Sequence, residues 1–275
     1  MPISRNSKNL NIVFGLLVIM LSLSSCYENV EGCLDPNSSN YNVASDVDCE
    51  DCCTYPTLSL LVAYVLGENS YNRMDTLTND IGIEFVIEDA QFYFSEIVLS
   101  DGTEDYRIDE TFEYSDINGT DRIAIDDIAL VTPNVFRYPL GTFTQSNDYT
   151  RLMINLGVPE IIDKAQSITV TSDHPLVQSG DSLFIVDQNQ YVNSWILLRQ
   201  VGVHDIADTL QITGTDFTYV FDDILISQAR GSSLDVNIKI NYEQLILGID
   251  YNTMNKSEVI ATIGNNLTDA VLPNF

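Results

Sequence analysis

The sequence predicts an all-β protein: an antiparallel β-sandwich with a C-terminal helix and a small disulfide-stapled N-terminal segment. Three observations support this fold class. After Pro56, short runs rich in Val, Ile, Tyr, Phe and Thr recur between Gly, Asp, Asn and Pro, which is the pattern of strands joined by turns. One segment near the end has helical spacing instead. Four cysteines lie in a single short stretch before the first strand.

The strand candidates follow one another at a spacing typical of a sandwich or barrel. The clearest is residues 234–242, where apolar residues at even positions alternate with polar residues at odd positions. One face of this strand therefore points to a core and the other to water. The Asp101-Gly102 pair predicts a hairpin turn. The predicted strands are residues 57–66, 81–88, 91–100, 123–131, 149–157, 167–171, 182–186, 194–203, 209–213, 216–221 and 234–242.

The last predicted element is a helix over residues 257–271. Its apolar residues stand at positions 259, 260, 263, 267, 270 and 271, which share one helical face, and Ser257 stands at the N-cap position. We expect this helix to pack against the sandwich and to close one of its ends.

The first 25 residues predict a secretory signal peptide. Arg5 and Lys8 give a positive start, and the apolar run over residues 12–23 has the length of a signal-peptide core rather than of a membrane span. Small residues then precede Cys26. This order resembles a bacterial lipobox, in which the cysteine is acylated and becomes the first residue of the mature protein. The alternative is an ordinary signal peptide that is cut near Ser25 and leaves Cys26 free.

The cysteine count supports acylation of Cys26. Five cysteines is an odd number, but the four that remain form an even set, as expected where disulfides persist. Adjacent Cys52 and Cys53 rarely bridge each other, so we expect Cys33 to pair with one of Cys49, Cys52 and Cys53 and a second bridge to form within that group. A zinc site built from the thiolates of that group is the alternative.

The sequence predicts three regions: a signal peptide at 1–25, a lipidated Cys-rich spacer at 26–56 and a β-sandwich domain at 57–275. The spacer is dense in Asp, Asn, Pro and Ser, which predicts turns. Its oxygen donors also lie close enough in sequence to wrap a Ca²⁺ ion, with turn formation alone as the alternative. The candidate calcium ligands are Asp35, Asn37, Asn40, Asn42, Asp46 and Asp48.

Charge excludes nucleic acid as a partner. The chain has 40 Asp and Glu against 12 Lys and Arg, a formal net charge of −28, whereas phosphate binding needs a basic surface. Anionic lipid headgroups would also repel such a chain, so we expect the lipid on Cys26 to hold it at the membrane. The sequence therefore predicts an outer-membrane lipoprotein that faces the periplasm or the cell surface.

The sequence predicts no enzyme. The chain has two histidines, His174 and His204, and no cysteine after Cys53, which excludes a Cys-His nucleophile pair in the β domain. It contains no Gly-x-Ser-x-Gly elbow, P-loop, dinucleotide fingerprint or His-Glu-x-x-His motif. Close pairs of carboxylates arise by chance among so many acids, so they do not indicate a glycosidase.

Five segments in order resemble the MbnP-like copper-binding proteins. They are residues 91–102, 157–159, 173–176 and 241–253 and the helix with residues 265–267. The resemblance spans about residues 57–275 and implies an exported, β-rich domain that binds copper through histidines. It also implies a di-haem peroxidase-like partner protein. A lipid anchor and a Cys-rich Gly-Cys-x-Asp-Pro module are common companions of this family in Bacteroidota.

Most metal-site positions of the family are changed in this chain. Family members carry histidines in the first strand and after the Gly-Ile-Asp-Tyr stretch, where this chain has residues 62–64 and 253–254 without histidine. Residues 183–186 replace the family's Trp-x-Trp pair, and Trp195 lies beyond that position. Copper(II) favours several imidazoles, so this set of ligands is poor. The metal ligands that remain are His174, His204 and Met254.

We therefore expect an exported, membrane-anchored lipoprotein with an MbnP-like domain whose copper-binding role is weakened or lost. The alternative is a surface adhesion or ligand-binding β-sandwich module without metal, in which His174 and His204 are ordinary histidines and Trp195 belongs to the core. Convergence of His174, His204 and Met254 would favour the copper hypothesis.

Overall fold

The structure is a computed structural model of the 275-residue chain, and it describes residues 28–49, 51–178, 183–188, 190–203, 206–214 and 217–274. The predicted signal peptide, the lipidation site Cys26 and His204 lie outside these residues. The chain divides into two compact units. Among the described residues, the first unit contains those up to Asp35 together with those of Tyr41–Cys53, and the second contains Pro36–Asn40 together with those from Thr54 onward.

The first unit is a small Cys-rich segment with little regular structure. Its strands β1 (Glu31–Gly32) and β2 (Val47–Asp48) pair in parallel. The rest of its described residues are irregular, with a turn at Val43 and Ala44.

Two disulfides hold this unit together. Cys33 is bonded to Cys53 and Cys49 to Cys52, with Cα atoms 5.0 and 5.6 Å apart. The structure therefore selects one of the pairings that the sequence left open. Both bridges avoid the adjacent pair Cys52 and Cys53, as disulfide geometry favours.

The second unit is predominantly β-structure, and its elements are numbered here in chain order. The strands are β3 (Thr57–Leu66), β4 (Asn69–Ser70), β5 (Thr76–Thr78), β6 (Glu84–Ser100), β7 (Asp105–Tyr106), β8 (Thr111–Ser115), β9 (Asp121–Ile125), β10 (Ala129–Val131), β11 (Arg137–Thr142), β12 (Asp148–Tyr149), β13 (Arg151–Leu156), β14 (Ser167–Thr169), β15 (Phe184–Ile185), β16 (Gln190–Tyr191), β17 (Ser194–Gln200), β18 (Asp208–Ile212), β19 (Phe217–Phe221), β20 (Ile226–Ser227), β21 (Leu234–Asn241) and β22 (Val271–Pro273). The helices are α1 (Glu160–Asp163), α2 (Pro175–Gln178), α3 (Tyr242–Leu245) and α4 (Lys256–Ala270), with a 3₁₀ turn at Val186–Gln188.

Two sheets form the sandwich. The larger has the strand order β18-β17-β6-β13-β19, and β5, β7 and β10 also pair with β6. The smaller has the order β11-β3-β21-β22, with β4 also on β3. These pairs are antiparallel except for β3 with β21, which run parallel. The predicted all-β sandwich is therefore confirmed, with one parallel pair whose strands are far apart in sequence and so are not constrained by a hairpin.

Alternation of apolar and polar residues places the core between the sheets. Along β21, Leu234, Val236, Ile238 and Ile240 are buried while the residues between them are half-exposed. This is the alternation that the sequence predicts for the strand, because successive side chains of a strand point to opposite faces. Buried residues of β3, β6 and β13, among them Leu60, Phe94 and Ile154, belong to the same cluster, which we call the main core.

The long strand β6 replaces two predicted strands, 81–88 and 91–100, which is a correction. Asp89 was expected to mark a break, but β6 continues through it, and the register against β17 shifts beside it. The Asp89 side chain accepts a hydrogen bond from the Ala90 N–H. A charged residue here marks a bulge rather than a turn, because a bulge removes backbone groups from the ladder and leaves them for side chains.

A small lobe extends from the sandwich around the three-stranded sheet β14-β8-β9. It has a second hydrophobic cluster, which we call the lobe core and to which α1 and α2 contribute one buried residue each. The residues of the lobe core are Tyr93, Phe112, Tyr114, Ile128, Val158, Ile162, Ala165, Leu176, Leu183, Tyr191 and Val192.

Helix α4 forms at the predicted place and buries the predicted face, with Val259, Ile263 and Leu267 in the main core. Its N-cap is Asn255 rather than Ser257, because Asn255 accepts from two backbone N–H groups and the Glu258 side chain accepts from the Asn255 N–H. Over the part of the chain that the structure describes, no helix combines the length and apolarity that crossing a membrane requires.

Candidate functional site

His174 is the predicted metal ligand that the structure describes in most detail, and it caps helix α2. The imidazole Nδ1 accepts a hydrogen bond from the Leu176 N–H at 3.2 Å, which is the bond that an N-cap residue makes with the first turn of a helix. Pro175 follows at the first helical position, where its lack of an N–H costs nothing. The His-Pro-Leu sequence is thus a helix start.

The other ring nitrogen of His174 faces a carboxylate. Its Nε2 lies 2.7 Å from the Oδ1 of Asp126, and the ring packs 5.6 Å from the ring of Phe112. Because Nδ1 accepts from a backbone N–H, the proton of the neutral imidazole is on Nε2 and is donated to Asp126. The side chain is buried, so both of its nitrogens are satisfied inside the protein.

This arrangement leaves His174 no free lone pair. A copper ion at Nδ1 would have to displace the N–H of α2, and an ion at Nε2 would have to displace the proton shared with Asp126. Thr111 and Thr171 line a cleft of about 380 Å³ beside His174. Because both ring nitrogens are already hydrogen-bonded, His174 cannot act as a general base for the hydroxyl groups of these residues. The pair is built to hold α2 against the lobe.

Met254 lies elsewhere in the fold. Its Sδ accepts from the Asp250 N–H at 3.5 Å, and the side chain packs against the main core, whereas His174 contacts the lobe core through Phe112. Among the described residues, no group of three His, Cys, Asp or Glu donors that could hold a metal includes His174. Met254 and His174 therefore pack against different hydrophobic clusters, and His204 lies outside the described residues.

The cluster that could hold a metal within the described residues is in the first unit. The donor atoms of Asp48, Cys49 and Cys53 lie within 4.8 Å of one another. Both cysteines are in disulfides, and a metal site needs thiolates rather than bridged sulfurs. In this oxidised form the residues do not fit the zinc alternative.

Four of the six candidate calcium ligands accept hydrogen bonds from nearby backbone N–H groups. In the first unit, Asp46, Asp48 and Asn42 accept hydrogen bonds from backbone N–H groups at 3.2, 3.0 and 3.1 Å. In the second unit, Asn40 accepts from the Thr54 N–H at 2.9 Å. This use is typical of turns stabilised by Asx side chains. All six candidates have an interaction partner: Asp35, Asn37, Asn40, Asn42, Asp46 and Asp48.

Asp127, the neighbour of the half-buried Asp126, is a buried carboxylate. Asp127 accepts from the N–H groups of Glu96 and Ile97 at 3.0 and 2.8 Å, at a bulge of β6 where Glu96 has a φ of 49°. Burial raises the pKa of Asp127 to about 6, although the two N–H groups lower it. Residues 126 and 127 thus anchor two separate segments, one through His174 and one through β6.

The sequence did not point to Asp126 or Asp127. Asp126 and His174 are 48 positions apart, and no short motif connects them. An Asp-Asp pair at the end of a strand is common in so acidic a chain, so composition alone could not single it out.

Trp195, in β17, packs half-buried against the lobe core.

Comparisons with known proteins give a weak likeness of fold. A scan against protein-family models found no match, and a search of curated proteins found none either. Among solved structures, the chain is similar to MbnP from Methylosinus trichosporium, with 12% sequence identity and a TM-score of 0.45 over 68% of this chain and 76% of that chain. At this level of sequence identity and TM-score, a binding site of one protein cannot be inferred for the other.

Proposed function

We propose that this chain is an exported lipoprotein, held at the outer membrane by acyl chains on Cys26, and that its β domain has lost a histidine-based copper site. The pairing of the other cysteines supports the acylation of Cys26. All four described cysteines are bonded to one another. Of the five cysteines in the sequence, Cys26 is the one that these bridges leave over, directly after an apolar signal.

The hydrogen bonds of His174 support the loss of the copper site. Both of its nitrogens are bonded within the protein, and Met254 packs with a different hydrophobic cluster. A tight copper(II) site needs several free imidazoles, and the sequence contains only two histidines. The available donors therefore do not fit copper.

Metabolic labelling with an alkyne analogue of palmitate tests the anchor. We expect the wild-type chain to carry the label and to sediment with membranes. Cys26→Ser should carry none and appear in the soluble fraction, because the thiol is the acylated group. Ser25→Ala is the matched control, since it keeps a small residue before the cysteine and should be labelled like the wild type. Label on Cys26→Ser, or an unlabelled wild-type chain, contradicts the proposal.

Copper binding is tested separately on the soluble Cys26→Ser protein. After incubation with Cu(II) and dialysis, we expect elemental analysis to find far less than one copper per chain. Stoichiometric copper that is lost in His174→Gln would contradict the loss of the site while leaving the anchor untouched.

A further inference from the structure

A second cleft lies on the sandwich, and it shares no lining residue with the cleft beside His174. It follows β3 at the point where that strand changes partner: β11 pairs with it up to Leu61, and β4 pairs with it from Val65. The cleft has a volume of about 370 Å³, within the range typical of small-molecule sites. Leu61 and Ala63 are among the residues that line it.

One wall of this cleft is formed by the solvent-exposed ring of Phe136. Phe136 is 71% exposed, which is unusual for a side chain of its size. It ends the short turn between β10 and β11, and its carbonyl accepts from the Val62 N–H at 2.9 Å. The ring is therefore attached to the sheet through its own backbone.

Two tyrosines fix the turn that carries Phe136. The Tyr64 hydroxyl donates to the Thr132 carbonyl at 2.7 Å, and the Tyr138 hydroxyl donates to the Val135 carbonyl at 2.7 Å. The Thr132 N–H in turn donates to the Tyr138 hydroxyl at 2.8 Å. These bonds hold the backbone of the turn in place, so the backbone that carries Phe136 loses little conformational freedom when a ligand binds.

The other wall supplies amides without charge. Asn237, on the outer face of β21, and Asn274, after β22, both line the cleft, and their backbones are joined by a hydrogen bond from the Asn274 N–H to the Asn237 carbonyl at 3.1 Å. A side-chain amide both donates and accepts, which matches a hydroxyl group. None of the described lining residues is charged.

The charge of the chain limits the ligand further. At a net charge of −28, the protein repels anions, and a cation would find no carboxylate among the residues of this cleft. A neutral ligand with one apolar face and a rim of hydroxyl groups fits an aromatic wall opposite two amides. Sugar rings have this chemistry.

We propose that this cleft binds a neutral saccharide, whose ring stacks on Phe136 and whose hydroxyl groups bond to the side chains of Asn237 and Asn274. This proposal does not depend on the acylation of Cys26 or on the loss of the copper site. It is tested with Cys26→Ser protein, so that lipidation does not affect the result.

Native gel electrophoresis through embedded polysaccharides provides the test, because the acidic chain migrates readily. The neutral probes are laminarin, xylan, galactomannan and pullulan, and polygalacturonate is the anionic control. We expect at least one neutral polymer to retard the protein and the anionic polymer not to. Phe136→Ala should weaken that retardation about tenfold or more, and Asn274→Ala should weaken it less.

Leu225→Ala is the matched control, because Leu225 is an apolar side chain of similar exposure, 70%, that does not line the cleft. We expect it to bind like the parent protein, and thermal melts should show that all three variants fold. Retardation by none of the four neutral polymers, or wild-type binding by Phe136→Ala, overturns the proposal. Dimerisation that Phe136→Ala abolishes, without retardation, would assign the cleft to a second copy of this chain and overturn it equally.

Discussion

The Cys-rich unit and the β unit are stabilised in different ways. Among the described residues of the first unit, the buried hydrophobic side chains are Cys33 and Cys49, and Val43 is 81% exposed. The second unit buries a main core that includes Phe94 and Ile240 at 0% exposure. A segment of this size without an apolar core depends on cross-links, whereas a sandwich depends on packing. The predictions below separate these two sources of stability.

The largest effect should come from the main core. Phe94 lies in β6 between β10 and β13, with which it pairs. We expect Phe94→Ala to lower the free energy of unfolding by about 3–5 kcal/mol, because it removes a buried ring and leaves a cavity. Denaturation with guanidinium chloride measures this. Val43→Ala in the first unit is the control and should change stability by less than about 0.5 kcal/mol. Equal effects would refute the contrast.

Removing a cross-link should affect the first unit alone. Replacing Cys33 and Cys53 together by Ala releases a loop with a sequence separation of 20 and should cost that unit about 3 kcal/mol. Hydrogen exchange is the measurement: the amides of Asn42 and Cys49, which bond to carbonyls within the unit, should lose protection. The amides of β21 should keep theirs. Retained protection in the first unit would show that it does not depend on this bridge.

The β unit should also respond to pH through Asp127. Its pKa is raised by burial from 3.8 to about 6, so between these values the folded state binds more protons than the unfolded state. Stability from this group is therefore complete below about pH 4 and is lost as the pH rises through 6, by about 3 kcal/mol at most.

Urea denaturation of wild type and Asp127→Asn between pH 4 and 7 measures this effect. The difference in unfolding free energy between the two proteins should change across this window in the expected direction, with wild type losing stability relative to the variant. Parallel curves would show that Asp127 does not titrate in this range.

The smallest effect should come from the helix cap. His174→Ala removes the acceptor of the Leu176 N–H and the partner of Asp126, and it should cost about 1–2 kcal/mol. Asp126→Asn keeps an acceptor oxygen and should cost less. Thermal melts of both variants measure the difference. A larger loss in Asp126→Asn would show that the carboxylate has a role beyond accepting from His174.

Much of the fold could be predicted from local pattern. The bounds of β3 agree with the prediction, and β21 and α4 agree to within one or two residues. The strand β11 was not predicted because Pro139 lies within it, and proline argues against a central strand. In the structure β11 is an edge strand, where proline is tolerated. Whether a strand is at an edge is a tertiary property.

Less of the candidate site could be predicted. The family resemblance of residues 173–176 singled out His174 as a ligand, but the contacts of this residue depend on Asp126 and on the start of α2. The cleft at Phe136 escaped notice because its residues come from β3, the turn before β11, β21 and the C-terminal segment. No periodicity or motif spans such distances.

The sequence by itself determined the fold class, the even set of cysteines after Cys26 and the strong acidity of the chain, because these follow from composition and from the period of neighbouring residues. Only the tertiary structure decided which cysteines pair, that both nitrogens of His174 are hydrogen-bonded and that an exposed ring and two amides line one cleft. Each of these depends on the distance between atoms far apart in the chain, which is set by how the sheets pack and not by any local pattern.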